Sequence, residues 1–203
     1  MTQPDFSPSA DRNKQCILDV LQTFLPAQGT ALEIASGTGQ HVAWFATQLP
    51  QWTWQPTDAQ RGALYSIEAR AAQADLANVL EPLLLDVRTS PWVPEATSFD
   101  LIYCANMLHV APWEACLALM QGSAKHLAPG GLLVTYGPYF ESDVTAAPSN
   151  VAFDQSLRQH DAFWGIRQLD AVVQAAQAAG LQLNARHTMP ANNLLLCFSR
   201  PAH

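Results

Sequence analysis

Residues 31 to 39 read Ala-Leu-Glu-Ile-Ala-Ser-Gly-Thr-Gly, an apolar run that passes through the carboxylate of Glu33 and then turns at Gly37 and Gly39. A strand-turn-helix junction of this kind predicts a nucleotide-sized binding site. Glycine lets a ligand approach the backbone closely, and the first amides of the next helix are unpaired donors at the positive end of its dipole. The carboxylate narrows the choice of ligand: Glu33 repels a pyrophosphate but suits an ammonium and a sulfonium, which occur together in S-adenosylmethionine (SAM). More polar groups stand where later strands are expected to end. Asp58 lies nineteen residues after Gly39, close to the ~20 residue interval at which an acid meets ribose hydroxyls. Asp86 is expected to accept from an adenine amino group, with Val87 packing near the ring, and Asn106 with Met107 to meet the methionine portion. Taken singly, each carboxylate also reads as a helix N-cap or a solvated strand end. The joint pattern favours a cofactor site.

Methyl transfer from such a donor is an in-line displacement at a carbon bonded to positively charged sulfur, so the cofactor carries the activation and the protein positions the reactants. A base is needed only for an acceptor that begins protonated, and near neutral pH that base is most simply histidine. His109 is the candidate because it follows the fourth expected strand; a histidine capping the next turn is the structural alternative. Tyr136 and Tyr139 bracket Gly137-Pro138 and are expected to line the acceptor pocket, with Tyr139 given a catalytic part; plain packing aromatics are the alternative. Nearby, Asn150, Phe153, Asp154, Arg158, Trp164 and Arg167 offer further groups. An arginine there would hold a substrate carboxylate in a fork, whereas an Arg158 to Asp154 pair at i, i+4 is the plainer account. Arg12 and Asn13, beside Lys14 at the head of the first helix, are expected to fold over the cofactor, with a solvated helix start as the alternative. Asn192 and Asn193 read as turning the last hairpin, with a pocket role beside Pro190 as the alternative; His41 near the helix start reads as a surface residue, with assistance to the ligand as the alternative; and Trp44, Trp52, Trp54, Trp92 and Trp113 read as packing.

The elements that must position these groups follow from periodicity. Asp11 to Leu25 places Ile17, Leu18, Leu21, Phe24 and Leu25 on one helical stripe, closed by Pro26 and Gly29. A strand at 31 to 35 leads into a helix from Gly39 to Leu49, and an extended aromatic stretch at 52 to 56 leads into a helix from Arg61 to Asp75. Residues 82 to 86 form an apolar run of the kind that buried parallel strands show; 99 to 104 is another. Pro112 suits the first helical position of a segment reaching His126, and a fifth strand spans 132 to 136. Residues 137 to 166 break the rhythm and read as a long functional loop closing the active site. A helix from Leu169 to Ala179 and an antiparallel pair, 181 to 187 with 193 to 198, complete the chain. Alternating strands and helices predict an α/β protein: a doubly wound, mostly parallel seven-stranded sheet with a terminal antiparallel strand, Rossmann-like in the manner of class I methyltransferases. The carboxyl ends of its strands would gather Glu33, Asp58, Asp86 and Asn106 along one rim.

Composition narrows the partners. The 203 residues fit one domain (1–203) with an N-terminal helical lid (1–29) and the insertion at 137–166. Seventeen acidic against ten basic residues give a net charge of -7 without a basic cluster, which disfavours nucleic acid and points to a small-molecule substrate. Cys16, Cys104, Cys116 and Cys197 are dispersed, so neither a disulfide framework nor a metal site is expected. No basic segment followed by an apolar run opens the sequence and no apolar stretch approaches ~18 residues, so neither signal peptide nor membrane span is expected and the compartment is the cytoplasm.

Several motifs together resemble a known family: Asp-Arg-Asn-Lys at 11 to 14, Leu-Glu-Ile-Ala-Ser-Gly-Thr-Gly-Gln-His at 32 to 41, Asn-Met-Leu-His-Val-Ala-Pro-Trp-Glu at 106 to 114, Tyr-Gly-Pro-Tyr at 136 to 139, Trp-Gly-Ile-Arg at 164 to 167 and Met-Pro-Ala-Asn-Asn-Leu at 189 to 194. Over nearly the whole chain they are similar to the methyltransferase-like protein 26 family. That resemblance implies a class I methyltransferase fold and a SAM site without a settled substrate. Ala35 stands where the first glycine of the general Glu-x-Gly-x-Gly-x-Gly pattern is usual, adding one methyl to the ligand-facing turn. The reading is therefore a SAM-dependent methyltransferase with a small acceptor. A nicotinamide-dependent oxidoreductase is the first rival, opposed by Glu33 and by Val42 where a small residue belongs; a non-catalytic binding module on the same fold is the second.

Overall fold

Residues 3–201 are described by the structure, a computed structural model. Its first helix, α1 (Pro8–Leu21), begins earlier than the apolar stripe suggests, because Ser7 caps it, accepting from Ala10 N at 3.3 Å, and Pro8 follows at a first-turn position. Then come β1 (Gly29–Ile34), α2 (Gln40–Gln48), β2 (Trp52–Asp58), α3 (Arg61–Gln73), β3 (Leu83–Leu84), β4 (Phe99–Ala105) and α4 (Trp113–His126). The chain finishes with β5 (Leu127–Phe140), α5 (Pro148–His160), β6 (Arg167–Gln168), α6 (Leu169–Ala178), β7 (Gln182–Met189) and β8 (Asn193–Ser199).

The main sheet runs β3-β2-β1-β4-β5-β8-β7, and short β6 pairs with the end of β5 off that path. Strands β1 to β5 are parallel, while β8 is antiparallel to β5 and β7 to β8. This is the doubly wound, mostly parallel sheet with a terminal antiparallel strand expected of the sequence. Strand alternation divides the core into two layers. Leu32, Ile102, Leu133 and Leu196 face α4 and α6, whereas Ala31, Leu101, Val134 and Leu195 face α1, α2 and α3. Ile17, Leu18 and Leu21 bury the apolar edge of α1 in the second layer with Phe45, Trp52 and Trp54, each worth about 1.5–3 kcal/mol of transfer free energy.

Four local expectations are corrected. Pro112 caps α4 from outside rather than opening it. Leu83 and Leu84 are not buried: β3 is the sheet edge, and they remain 38% and 46% exposed. Strand β5 does not stop at Tyr136 but continues to Phe140, held by β8 from Leu132 to Pro138. Residues 137 to 166 are therefore no simple loop, since they finish one strand and contain α5. That helix was hidden because it buries only Asn150 and Leu157, too few residues for a periodic stripe.

Candidate active site

The turn after β1 is built by backbone inversion. Ala35, Gly37 and Gly39 have φ of 56°, 55° and 73°. At Gly39 a Cβ would lie 2.9 Å from Ile67 Cα, so glycine is what allows the start of α2 to pack against α3. Asp58 ties the turn to β2: one carboxylate oxygen accepts from Gly37 N at 2.9 Å and the other from Gln60 N, also at 2.9 Å. Each oxygen keeps a further lone pair for a ligand hydroxyl. Thr57 Oγ1 donates to Glu33 O at 2.8 Å, fastening the same two strands.

Glu33 occupies a different position from the one its sequence context suggests. It is 2% exposed, sits between Pro56 of β2 and Tyr103 of β4 in strand register, and Oε2 has no hydrogen-bond partner. Burial pushes its carboxyl up to about 8, with Ser36 opposing and Asp58 adding to the shift. At neutral pH the group is largely protonated.

Two cavities open along the carboxyl ends of the strands, of about 830 Å³ and about 390 Å³, and both are lined by Ala35, Ala105 and Asn106. The smaller one gathers Asp58, Asp86, Val87 and Met107; the larger one gathers Arg12, Asn13, Gly37 and His109. Glu33, Gly39 and Tyr139 line neither. Asp86 carries a fork from Arg88, with Nε at 3.0 Å and Nη2 at 2.7 Å, which holds its carboxyl below the usual range.

Tyr139 is corrected from the cavity to the core. Its hydroxyl shares a 2.8 Å hydrogen bond with Thr135 Oγ1, and it belongs to the buried layer that contains Leu133 and Leu169. Because β5 continues through residue 139, parity sends Tyr136 to the cleft side and Tyr139 to the opposite face. Tyr136 lines the larger cavity, and its hydroxyl accepts from Asn193 Nδ2 at 3.1 Å. Asn192 and Asn193 follow Pro190 at the hairpin turn and also line the cavity.

His109 is 6% exposed and faces Phe153 edge-on, with ring centroids 5.4 Å apart. Burial, aided by the charge of Arg167, pushes its imidazole down to about 4, so it stays neutral at physiological pH. His41 is buried rather than on the surface. Its Nε2 lies 2.6 Å from Asn13 Oδ1 and its Nδ1 lies 3.2 Å from the Tyr103 hydroxyl, and the ring stacks on Phe45. Desolvation lowers it too, to about 4. This link fastens α1 to α2 and fixes Asn13 at the cavity wall. Arg158 pairs with Asp154 at 2.8 Å. Arg167 forms no carboxylate fork; its donors go to backbone carbonyls. Sequence reasoning missed Ser7, Ser9 and Cys16, which α1 brings to the same wall. The Ser7-Pro8 pair was an available cue, since it marks a helix start one turn earlier.

The strand order, crossovers and rim cavities define an α/β protein with the Rossmann-like class I methyltransferase fold. The chain belongs to the family described as protein of unknown function (DUF938), which it matches over residues 4–200. Among solved structures, an O-methyltransferase family protein from Burkholderia thailandensis is similar at a TM-score of 0.78 and 19% identity, over 95% of this chain and 58% of that one. An O-methyltransferase family 2 protein from Planctomyces limnophilus, in complex with apigenin, gives 0.75 at 19% identity over 96% and 62%. CalO1, a methyltransferase in calicheamicin biosynthesis in its SAH-bound form, gives 0.74 at 14% identity over 95% and 54%. The chain thus spans little more than half the length of these proteins. Among the described residues no helix is long and apolar enough to cross a membrane, and no group of three His, Cys, Asp or Glu is placed to hold a metal ion.

Proposed function

We propose that this protein is a cytoplasmic SAM-dependent methyltransferase acting on a small, uncharged acceptor. The observation that carries the reading is the pair of cavities joined at Ala35, Ala105 and Asn106, one rimmed by carboxylates and the other by amides and His109. In this reading the adenosine lies in the smaller cavity, with Asp58 accepting from the ribose hydroxyls and Asp86 and Val87 meeting the adenine. The methionine portion crosses at Asn106 and Met107 towards Arg12, Asn13 and Gly37. The residues that line the cavities fit that ligand: Asp58 retains free lone pairs on the smaller one, and Asn106 stands where the two meet. When bound, SAM supplies a methyl group on positively charged sulfur. The resemblance to the methyltransferase-like protein 26 family, and relatives of the same fold solved with apigenin or SAH, support the assignment.

The acceptor chemistry is read from the rest of the larger cavity. Arg12 is its one formally charged lining side chain among the described residues, and Arg12 is assigned to the cofactor. The amide nitrogens of Asn150 and Asn193 are engaged by the carbonyls of Asn192 and Pro190, each at 3.1 Å, which leaves their carbonyl ends to receive donors from a ligand. Phe153 and Pro138 add apolar surface. A neutral molecule carrying hydroxyl groups matches these walls, with the uncharged His109 accepting the hydroxyl proton as the methyl group arrives. Stretches 7–16 and 138–153 line the outer walls, and in this scheme the segments that carry them act as lids, residues 1–2 of the N-terminal one lying outside the described residues. Calorimetry and thermal shift with SAM and S-adenosylhomocysteine test the proposal, and micromolar binding of both is expected. Binding of NADH instead would favour the oxidoreductase, and binding of none of them a scaffold module.

A further inference from the structure

The loop from Leu108 to Ala111 carries His109 across the cavity wall, and its backbone is held from one short stretch of chain. Arg167 Nε donates to Leu108 O at 2.9 Å, and its Nη2 donates to Ala111 O and to Phe163 O, the latter at 3.0 Å. Between those two grips, Gly165 N donates to His109 O at 3.0 Å. The guanidinium carbon also lies 5.8 Å from the centre of the Trp113 ring, at the start of α4. Gly165 is needed for this approach: its φ is 148°, and a Cβ would come 2.6 Å from Arg158 Nη2 and 2.8 Å from Asp154 Oδ1. Asp154 Oδ1 in turn accepts from Ile166 N at 2.7 Å, so the ion pair on α5 fixes the stretch that fixes the loop.

We propose that Arg167 is the positioning residue of the acceptor site, holding the Leu108–Ala111 loop by its carbonyls so that the His109 ring faces the cavity. The proposal rests on the reading of His109 as the acceptor-side residue. Arginine suits the task because its planar fork reaches two loop carbonyls at once, which a lysine ammonium does not reproduce. The placement has an electrostatic consequence. A permanent cation beside a buried imidazole disfavours its protonation, in the same direction as desolvation. The other groups near Arg167 are Glu114 and Cys116 on α4 and Asp154 and Arg158 on α5, and Tyr136 lines the cavity wall with His109 from β5. Asp154 and Arg158 largely neutralise each other, which leaves Arg167 as the charge that His109 feels.

The test is an NMR titration of the histidine rings in the full chain, with His109→Gln identifying the His109 resonance and amide exchange at Gly165 followed in parallel. In Arg167→Met, which removes both charge and donors, the His109 midpoint is expected to rise by about one pH unit, with Gly165 exchange at least about tenfold faster. Arg167→Lys keeps the cation and serves as the milder variant: the midpoint is expected to stay near the native one while Gly165 exchange still accelerates. Native midpoint and native exchange in both variants would overturn the proposal. So would an unchanged midpoint in Arg167→Met alongside the same loss of protection throughout the sheet, because that marks a general packing role. Affinity for S-adenosylhomocysteine, measured on the same samples, separates this outcome from failure of the methyltransferase reading, which would remove binding from the native chain and leave the titration intact.

Discussion

The two cavities are made by different means. The smaller one is walled by strand ends and the residues just after them, with Asp58 and Asp86 each engaged by amides or a guanidinium within a few residues or on a neighbouring turn. The larger one is assembled from five separate stretches, residues 7–16, 35–41, 105–109, 136–153 and 190–193. Bonds between distant elements hold it: Asn13 to His41, Asn193 to Tyr136 and Asn150 to Asn192. Strand ends and the loop running into α4 frame the first wall; the second depends more on how helices and a hairpin close over the sheet. A ligand portion that never changes suits the first, and one that distinguishes this chain from others of its fold suits the second.

The sharpest way to break this contrast is His109→Ala. If His109 serves only the acceptor end of the larger cavity, transfer to an identified substrate should slow by about 10²–10⁴-fold, with calorimetry showing S-adenosylhomocysteine binding unchanged; equal rates would remove His109 as base. Glu33→Gln comes next. Because the folded-state value of about 8 lies above the ordinary 4.5, the stabilising effect of the protonated form is complete below pH 4.5 and is lost as pH rises through 8. Native stability should therefore fall relative to Glu33→Gln across that window, by the order of a few kcal/mol at about 1.4 kcal/mol per pH unit. His41 and His109, both lowered to about 4, act in the opposite sense, giving stability above pH 6.5 that is lost as pH falls through 4. Denaturation of both proteins over pH 3 to 9 should show that acid limb equally in each.

Asp58→Ala removes the proposed ribose contact and the anchor of the glycine turn together, and should weaken cofactor affinity by about 1.5–3 kcal/mol; unchanged affinity in calorimetry would contradict the ribose assignment. The smallest effect is expected for Ala35→Gly. Ala35 holds φ of 56°, a conformation that costs an L residue about 1–2 kcal/mol, partly offset by the greater unfolded-state entropy of glycine. Thermal melting should show a modest stabilisation of up to about 1 kcal/mol.

The same contrast governs what the sequence disclosed. Asp58, Asp86, Val87, Asn106 and Met107 were readable because a parallel strand ends once, and whatever follows must stand on one rim. Tyr139 misled because its face depends on where β5 stops, and the pairings that prolong it come from distant residues, β8 as far as Pro138 and β6 at Tyr139 and Phe140. His41 misled because nothing local says that α1 will cover the first turn of α2. The apolar run at 82 to 86 has the composition of a central strand, yet the order of strands leaves it at the margin. Hydrophobicity reports that a segment can be buried, and only topology reports whether a neighbour arrives.

Ala35 and Asn106 terminate adjacent parallel strands with nearly the same inversion, φ 56° and 58°. From there the two chains depart to opposite layers, one into α2 and the other towards α4. The gap between them is framed by main chain, so its bite is set by peptide geometry. Side chains along it can be exchanged without widening the jaw, and novelty in what the protein grasps has to be written elsewhere, in the helices and hairpin that roof it.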